Sequence, residues 1–317
     1  MSKGYRDAFP VDSANCASTV GRPEFFDSPP AVFPGREICE ASHEERSARF
    51  RGILERKLHG IAFSPYVGPQ RPGIEISEEQ ILERLQIIAP HTRWIRTFSC
   101  IEGNQHTARI ASSLGLKTMV GVGLGADFDD NEVELQNGIK VAQEGHADIL
   151  AIGNEILLRE DMSPAQLIEY MERARSEAPG VCISYVDAYF LFENHPEVAD
   201  ACDVLLINCY PFWERCPLEY SLFYMQEMYR RTGAVAKGKK IIISETGWPS
   251  SGTPYGSAIP GPEHALTYFL NAAHWVEEAG IDLFYFAAFD EAWKIDDEGD
   301  VGAYWGLWDN DGNLKYT

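Results

Sequence analysis

From Leu58 onward the sequence repeats one unit: a short unbroken apolar run, a loop, then a segment with the 3.6-residue period of a helix. The apolar runs fall at 59–64, 94–98, 116–122, 148–153, 181–186, 204–209, 240–244 and 283–286. Strands this continuously apolar are buried on both faces, as parallel strands under helices are. Helices are expected from Ser77, where Gln80 completes a capping-box pattern and Ile81, Leu82, Leu85 and Ile88 form the buried stripe. Others are expected over 107–114, through Val133 and Val141, over 222–229 and over 263–279, and one opens at Ser163 with Pro164 in its first turn. A doubly wound open sheet is the alternative architecture. Eight such units in about 250 residues fit a closed (β/α)8 TIM barrel better.

Residues 1–50 break the pattern. They hold Pro10, Pro23, Pro29, Pro30 and Pro34 and no sustained period, so an irregular N-terminal extension over 1–50 is expected outside a barrel domain over 51–317. Residues 1–20 lack the apolar core of a signal peptide. The compartment therefore stays open: secreted or periplasmic if a leader was removed, cytoplasmic otherwise.

The net charge is −21 at pH 7, a field that repels phosphate backbones and anionic headgroups. No nucleic acid and no membrane is expected as partner, and the chain is expected to act as a monomer. Seven cysteines at scattered spacings make no disulfide framework, and neither Cys-x-x-Cys nor His-Glu-x-x-His occurs, so no metal and no cofactor is expected. Gly121, Gly123 and Gly125 copy half of a dinucleotide fingerprint, but the third spacing is wrong.

In a barrel of this kind the active site forms where strands run into the following loops. The fourth run ends in Gly153-Asn154-Glu155 and the seventh in Ser244-Glu245-Thr246-Gly247-Trp248-Pro249. A lone carboxylate directly after an apolar run is costly unless it faces a cleft or a partner. Two of them match the needs of glycoside cleavage, in which one carboxylic acid protonates the leaving oxygen and one carboxylate attacks the anomeric carbon. Asn154 beside Glu155 suits a donor to the sugar 2-hydroxyl, and Glu291 with Lys294 suits charged contacts to other hydroxyls. Taken singly, either glutamate fits an ordinary ion-pair partner at a strand end. Together, beside aromatic residues at neighbouring strand ends, they point to catalysis.

The segment Ile243-Ser244-Glu245-Thr246-Gly247-Trp248-Pro249-Ser250 resembles the nucleophile signature of glycoside hydrolase family 17, the β-1,3-glucanase family. Ile152-Gly153-Asn154-Glu155 resembles its acid/base motif. Tyr210-Pro211-Phe212, Phe289-Asp290-Glu291-Ala292-Trp293-Lys294 and Tyr304-Trp305-Gly306-Leu307-Trp308 resemble its later blocks in the expected order. The resemblance spans about residues 58–315 and implies a retaining hydrolase of laminarin-like β-glucan. Glu155 is then the acid/base, Glu245 the nucleophile, and Tyr66, Tyr210, Glu291 and Lys294 surround the central sugar. Trp213, Trp248 and Trp305 are expected as sugar platforms.

A glucanosyltransferase with the same carboxylates and a catalytically silent glucan-binding barrel are the alternatives, and endo and exo action both stay open. The loop Val67-Gly68-Pro69-Gln70 and the run Gly121-Val122-Gly123-Leu124-Gly125 depart from the plant members. One of the loops 67–73, 125–131 and 252–261, or the N-terminal extension, is therefore expected to close one end of the cleft.

Overall fold

Residues 33–317 are described by a computed structural model, and all eight expected strands are there. They are β1 (Leu58–Ala62), β2 (Thr92–Arg96), β3 (Lys117–Val122), β4 (Ile149–Asn154), β5 (Cys182–Ala188), β6 (Leu205–Asn208), β7 (Ile241–Thr246) and β8 (Asp282–Tyr285). Neighbours in sequence pair in parallel all the way round, and β8 returns to β1, where Gly60 lies opposite Phe284. A Cβ at position 60 would stand 2.4 Å from the Phe284 ring, so this closing contact requires glycine.

Along each strand alternate side chains face the barrel interior. Met119, Ile149, Ala151, Val186, Leu206, Ile242 and Phe284 form a buried cluster of their own, with Trp94 packed on it. This plug makes the barrel a filled core and separates it from the larger core between strands and helices. Two residues beyond Trp94 on β2 comes Arg96, and two beyond Leu206 on β6 comes Asn208. The same alternation thus turns a guanidinium and an amide inward above the plug, at the carboxyl ends of the strands.

The outer layer is built from helices Glu78–Ile88, Thr107–Ser113, Phe128–Gln143, Pro164–Glu177, Leu218–Val235 and Pro262–Ala279, with two short helices, Tyr189–Asn194 and Pro196–Ala201, after β5. Only short turns follow β8. The seam between β8 and β1 is covered by helix His43–Arg56, which comes before β1 in the chain. Its Ser42 and Glu45 form a full capping box. Phe50 packs edge-on against Phe269 and Tyr316, with centroids 5.1 and 5.4 Å away.

Of the expected irregular extension over 1–50, residues 36–40 and 43–50 are helical instead, the second helix running on to Arg56, and residues 1–32 lie outside the described residues. The buried stripe of Phe50, Ile53 and Leu54 straddles residue 50, so its period is invisible in a segment cut there. Among the described residues no helix is long and apolar enough to cross a membrane.

Candidate active site

Both glutamates singled out in the sequence stand where strand regularity breaks. The pairing of β4 with β5 shifts between Ala151 and Asn154. That of β7 shifts against β6 after Ile207, and against β8 between Ile243 and Thr246. Such irregularities re-aim side chains that strict alternation would send elsewhere. As a result the sequence neighbours Ser244 and Glu245 both reach the interior. Ser244 Oγ donates to Asn208 Oδ1 at 2.9 Å, and Glu245 accepts from Arg96 and Tyr210.

On β4, Gly153 (φ 88°) leads through Asn154 to Glu155, which adopts the left-handed conformation with φ 54°. That left-handed φ at 153 is what favours glycine, and a Cβ there would also press within 2.2 Å of the movable Ile156 Cδ1. Glu155 is thereby lifted off the strand line, and its Oε1 accepts from Asn208 Nδ2 at 2.8 Å.

The two carboxyl groups have different surroundings. Glu245 and Glu155 are 5% and 8% exposed. The guanidinium of Arg96, itself 2% exposed, bonds one oxygen of Glu245, and the Tyr210 hydroxyl donates to the other at 2.6 Å. A buried carboxylate tolerates its charge when it is paired and hydrogen-bonded in this way. The second arm of Arg96 donates to Asn154 Oδ1 at 2.9 Å, which leaves the Asn154 Nδ2 amide free to donate to a ligand. Glu155 has no ion pair of this kind among the described residues; the charge of Arg159 acts on it only from a distance. Burial, then the charge of Glu245, then that of Asp187 raise its pKa above the ordinary carboxyl range, with the Asn208 amide acting against them. The site thus sets a carboxyl whose pKa is raised by burial beside one paired with a guanidinium and a phenol.

A second cluster lies on the turns after β8. Lys294 sits 3.6 Å from Glu291 and 3.7 Å from Glu298, with its ammonium 4.3 Å over the Phe286 ring. Burial works against its charge, yet Glu291, Glu298 and Glu245 together carry its pKa above the ordinary value. Trp293 Nε1 donates to Glu291 Oε1 at 3.1 Å, and the Trp293 ring meets Tyr66 edge-on at 6.1 Å. Tyr66 accepts a long hydrogen bond from Asn104 Nδ2 at 3.4 Å, and burial raises its phenol to about 12.

The tryptophans differ from expectation. Trp213, Trp248 and Trp305 are 4%, 1% and 2% exposed, so none presents an open face to a sugar. Trp248 donates to Ile259 O at 2.9 Å and lies between Phe212 and Tyr268. Trp305 packs edge-on against Tyr210, with centroids 5.6 Å apart, and Trp213 stands 5.3 Å from Trp305. The reading of these three as open platforms is corrected. They prop the rings around Tyr210 and hence the carboxylate that Tyr210 holds.

The BtgE/BtgC glycoside hydrolase domain matches residues 60–306, a stretch that contains both carboxylates and both clusters. The crystal structure of a glycoside hydrolase family 17 β-1,3-glucanosyltransferase from Rhizomucor miehei aligns with a TM-score of 0.74 at 26% identity, covering 82% of this chain and 96% of that one. The chain belongs to glycoside hydrolase family 17. An active-site mutant of the R. miehei family 17 enzyme in complex with laminaritriose aligns with the same TM-score at 25% identity, over 82% and 96% of the two chains. The Candida albicans protein named glucan 1,3-beta-glucosidase BGL2 is 28% identical over 259 residues, 74% of this chain and 84% of its own.

Two residues of this family 17 site escaped sequence reasoning. Arg96 lies inside a strand, and a search of strand ends for acids passes over it. Its signal was a cation two positions past Trp94, on the inward face of a buried strand. Asn208 was in view at the end of β6 but has no acid chemistry to mark it; only the barrel brings it against Glu155.

Proposed function

We propose that this protein is a retaining hydrolase of β-1,3-glucan, with Glu155 as acid/base and Glu245 as nucleophile. The observation that carries the proposal is the unequal environment of the two buried carboxyls, one held by Arg96 and Tyr210 and one bonded by the Asn208 amide with its pKa raised by burial and by its neighbour's charge. The likeness to proteins named for β-1,3-glucan, one of them in complex with laminaritriose, supports the substrate class.

In the first step a Glu245 oxygen attacks the anomeric carbon while Glu155 gives its proton to the departing glycosidic oxygen. Arg96 and Tyr210 fix the attacking carboxylate in line, and Asn154 Nδ2 is placed to donate to the 2-hydroxyl as charge grows on the ring. Loss of negative charge at Glu245 in the glycosyl ester lowers the affinity of Glu155 for its proton. Glu155 then becomes the base that takes a proton from incoming water, and the second attack releases the sugar with its original configuration. A sugar hydroxyl entering in place of water gives transfer, and the likeness to the R. miehei glucanosyltransferase supports that second outcome of the same chemistry.

The test is incubation with laminari-oligosaccharides, following the newborn anomer by proton NMR and products by chain length. The β-anomer appearing first is expected. The α-anomer appearing first overturns the retaining mechanism, and products longer than the substrate identify transfer.

A further inference from the structure

Glu155 occupies the N-cap position of the short helix Ile156–Arg159, yet its own side chain makes no capping hydrogen bond. An N-cap side chain ordinarily accepts from the first amides of its helix. A carboxyl used that way is tied to the backbone and loses its freedom to act on a substrate. Here the cap comes from the neighbouring strand. Tyr185 on β5 accepts from the Leu157 amide at 2.9 Å and donates its hydroxyl hydrogen to Asp187 Oδ2. Asp187 Oδ1 accepts from the Ala188 amide at 2.7 Å, and the carboxyl also takes the Leu158 amide. Tyr185 and Asp187 are both fully buried. The backbone completes the tie, with the Glu155 amide donating to Val186 O at 2.9 Å.

We propose that Tyr185 and Asp187 are a positioning pair for the acid/base, capping the turn after β4 from β5 so that the Glu155 carboxyl stays free for the leaving oxygen. This rests on the reading of Glu155 as acid/base. The left-handed backbone at Glu155 is uncommon for a residue with a side chain. It persists because the amides on its far side have fixed acceptors supplied by another strand.

Asp187 also acts through its charge. Burial raises its carboxyl to about 7, against the bonds from Tyr185 and from the Ala188 and Leu158 amides and against the charge of Arg159. When ionised it holds the proton on Glu155 more firmly. Around this pair stand Glu245 on β7, paired with Arg96 of β2, and Asn208 on β6. Arg159 on the short helix is shared with Asp161 at 2.6 Å and with Asn154 O at 2.6 Å. On the helices beyond β5, Glu193 and Arg231 bond each other at 2.8 Å.

The experiment compares Tyr185→Phe, Asp187→Asn and, in parallel, Glu155→Ala, on laminari-oligosaccharides and on an aryl laminari-oligosaccharide with a good leaving group. Oligosaccharide binding by calorimetry and thermal melting check that each variant folds. For the pair variants kcat on the natural substrate is expected to fall about 10- to 100-fold, and much less on the activated one, with KM steady. In Asp187→Asn the alkaline limb of kcat is expected to move about one pH unit toward acid. Equal losses on both substrates with an unmoved limb make the residues ordinary parts of the fold and overturn the proposal. Should Asp187→Asn not fold, the leaving-group comparison in Tyr185→Phe, which removes one oxygen, decides alone. If Glu155→Ala itself does not spare the activated substrate, the acid/base reading falls and the role of the pair falls with it.

Discussion

Arg96 and Glu245 lie 149 residues apart in the chain and meet as an ion pair inside the barrel, with side chains 2% and 6% exposed. A pair so enclosed is held by geometry, because its partners cannot exchange for water. The guanidinium also reaches Asn154, so one side chain aligns groups from β4 and β7. Arg96→Lys keeps the charge but loses the planar fork that makes both bonds. A fall in kcat of about 10²-fold with a smaller change in melting temperature is expected. Steady-state kinetics with calorimetry check it, and unchanged kcat removes Arg96 from the positioning of the nucleophile.

Replacement of each carboxyl separates the two roles. Glu245→Ala is expected to abolish turnover, and added azide, entering from the face it vacates, to yield a glycosyl azide of inverted configuration. Glu155→Ala is expected to keep most activity on aryl substrates with good leaving groups, which need little protonation. There azide gives a product of retained configuration. Identical responses of the two variants to azide and to leaving group leave the assignment without support.

The pH dependence follows from the direction of the Glu155 shift. Burial comes first and the Glu245 charge second, and both raise its pKa above the ordinary 4.5. Glu245→Gln removes the second cause, so titration of Glu155 by carbon NMR is expected to move down relative to the native protein. Stability carries the opposite face of the same shift. A raised carboxyl contributes stability that is fully present below its unfolded value near 4.5 and is lost as pH rises through the folded value. The permanently neutral Glu155→Gln escapes that loss. Its melting temperature relative to the native protein is expected to climb above about pH 4.5 and then level off. A difference that stays flat across this range contradicts the raised value.

The eight strands were legible because burial on both faces leaves so strong a mark on sequence, and the two glutamates because each follows such a strand directly. What stayed hidden depended on contacts across the barrel. Arg96 needs the inward direction of β2, Asn208 needs β6 beside β4, and the capping of the Glu155 turn needs Tyr185 and Asp187 one strand away. Helix His43–Arg56 was missed because it was cut at residue 50 and grouped with the proline-rich stretch before it, and its partner, Pro262–Ala279, lies far along the chain. The tryptophans misled for a related reason. Composition shows that a ring is near the site and says nothing of which of its faces is covered.

Their changed role is testable through Trp248. A sugar platform lost raises KM; a prop lost lowers stability. Trp248→Phe keeps an aromatic ring but removes the bond to Ile259 O and opens space against Phe212 and Tyr268. A destabilisation of about 1–3 kcal/mol is expected, with KM for laminari-oligosaccharides within about twofold of the native value. A KM raised tenfold at unchanged stability restores the platform reading.

The shape of the cleft turns on how the loops are tied. Segment 252–261 is one of the loops expected to close an end of the cleft. It forms a small turn, with the Tyr255 amide donating to Ala258 O at 2.9 Å and the Thr253 hydroxyl to Asp300 at 2.7 Å. The Tyr255 ring stacks 6.5 Å from Phe212, and Gly256 lies close on the Arg215 side chain. The loops after β6, β7 and β8 are thus joined into one wall. The loop after β1 continues it, since the Gly68 amide donates to Asn310 Oδ1 at 2.7 Å and Arg71 pairs with Asp296 at 3.4 Å. A wall over four consecutive strand ends closes one end of the cleft if sugar sites stop against it. Laminari-oligosaccharides of increasing length then release one short product from a chain end, and rates level off early. Replacing 253–258 by a short glycine linker is expected to lengthen that product, with some loss of turnover because Tyr255 packs on Phe212 and Trp213. Random internal cuts by the native protein from the first time points, with rates still rising beyond six sugars, show a groove open at both ends and set the closed-end reading aside.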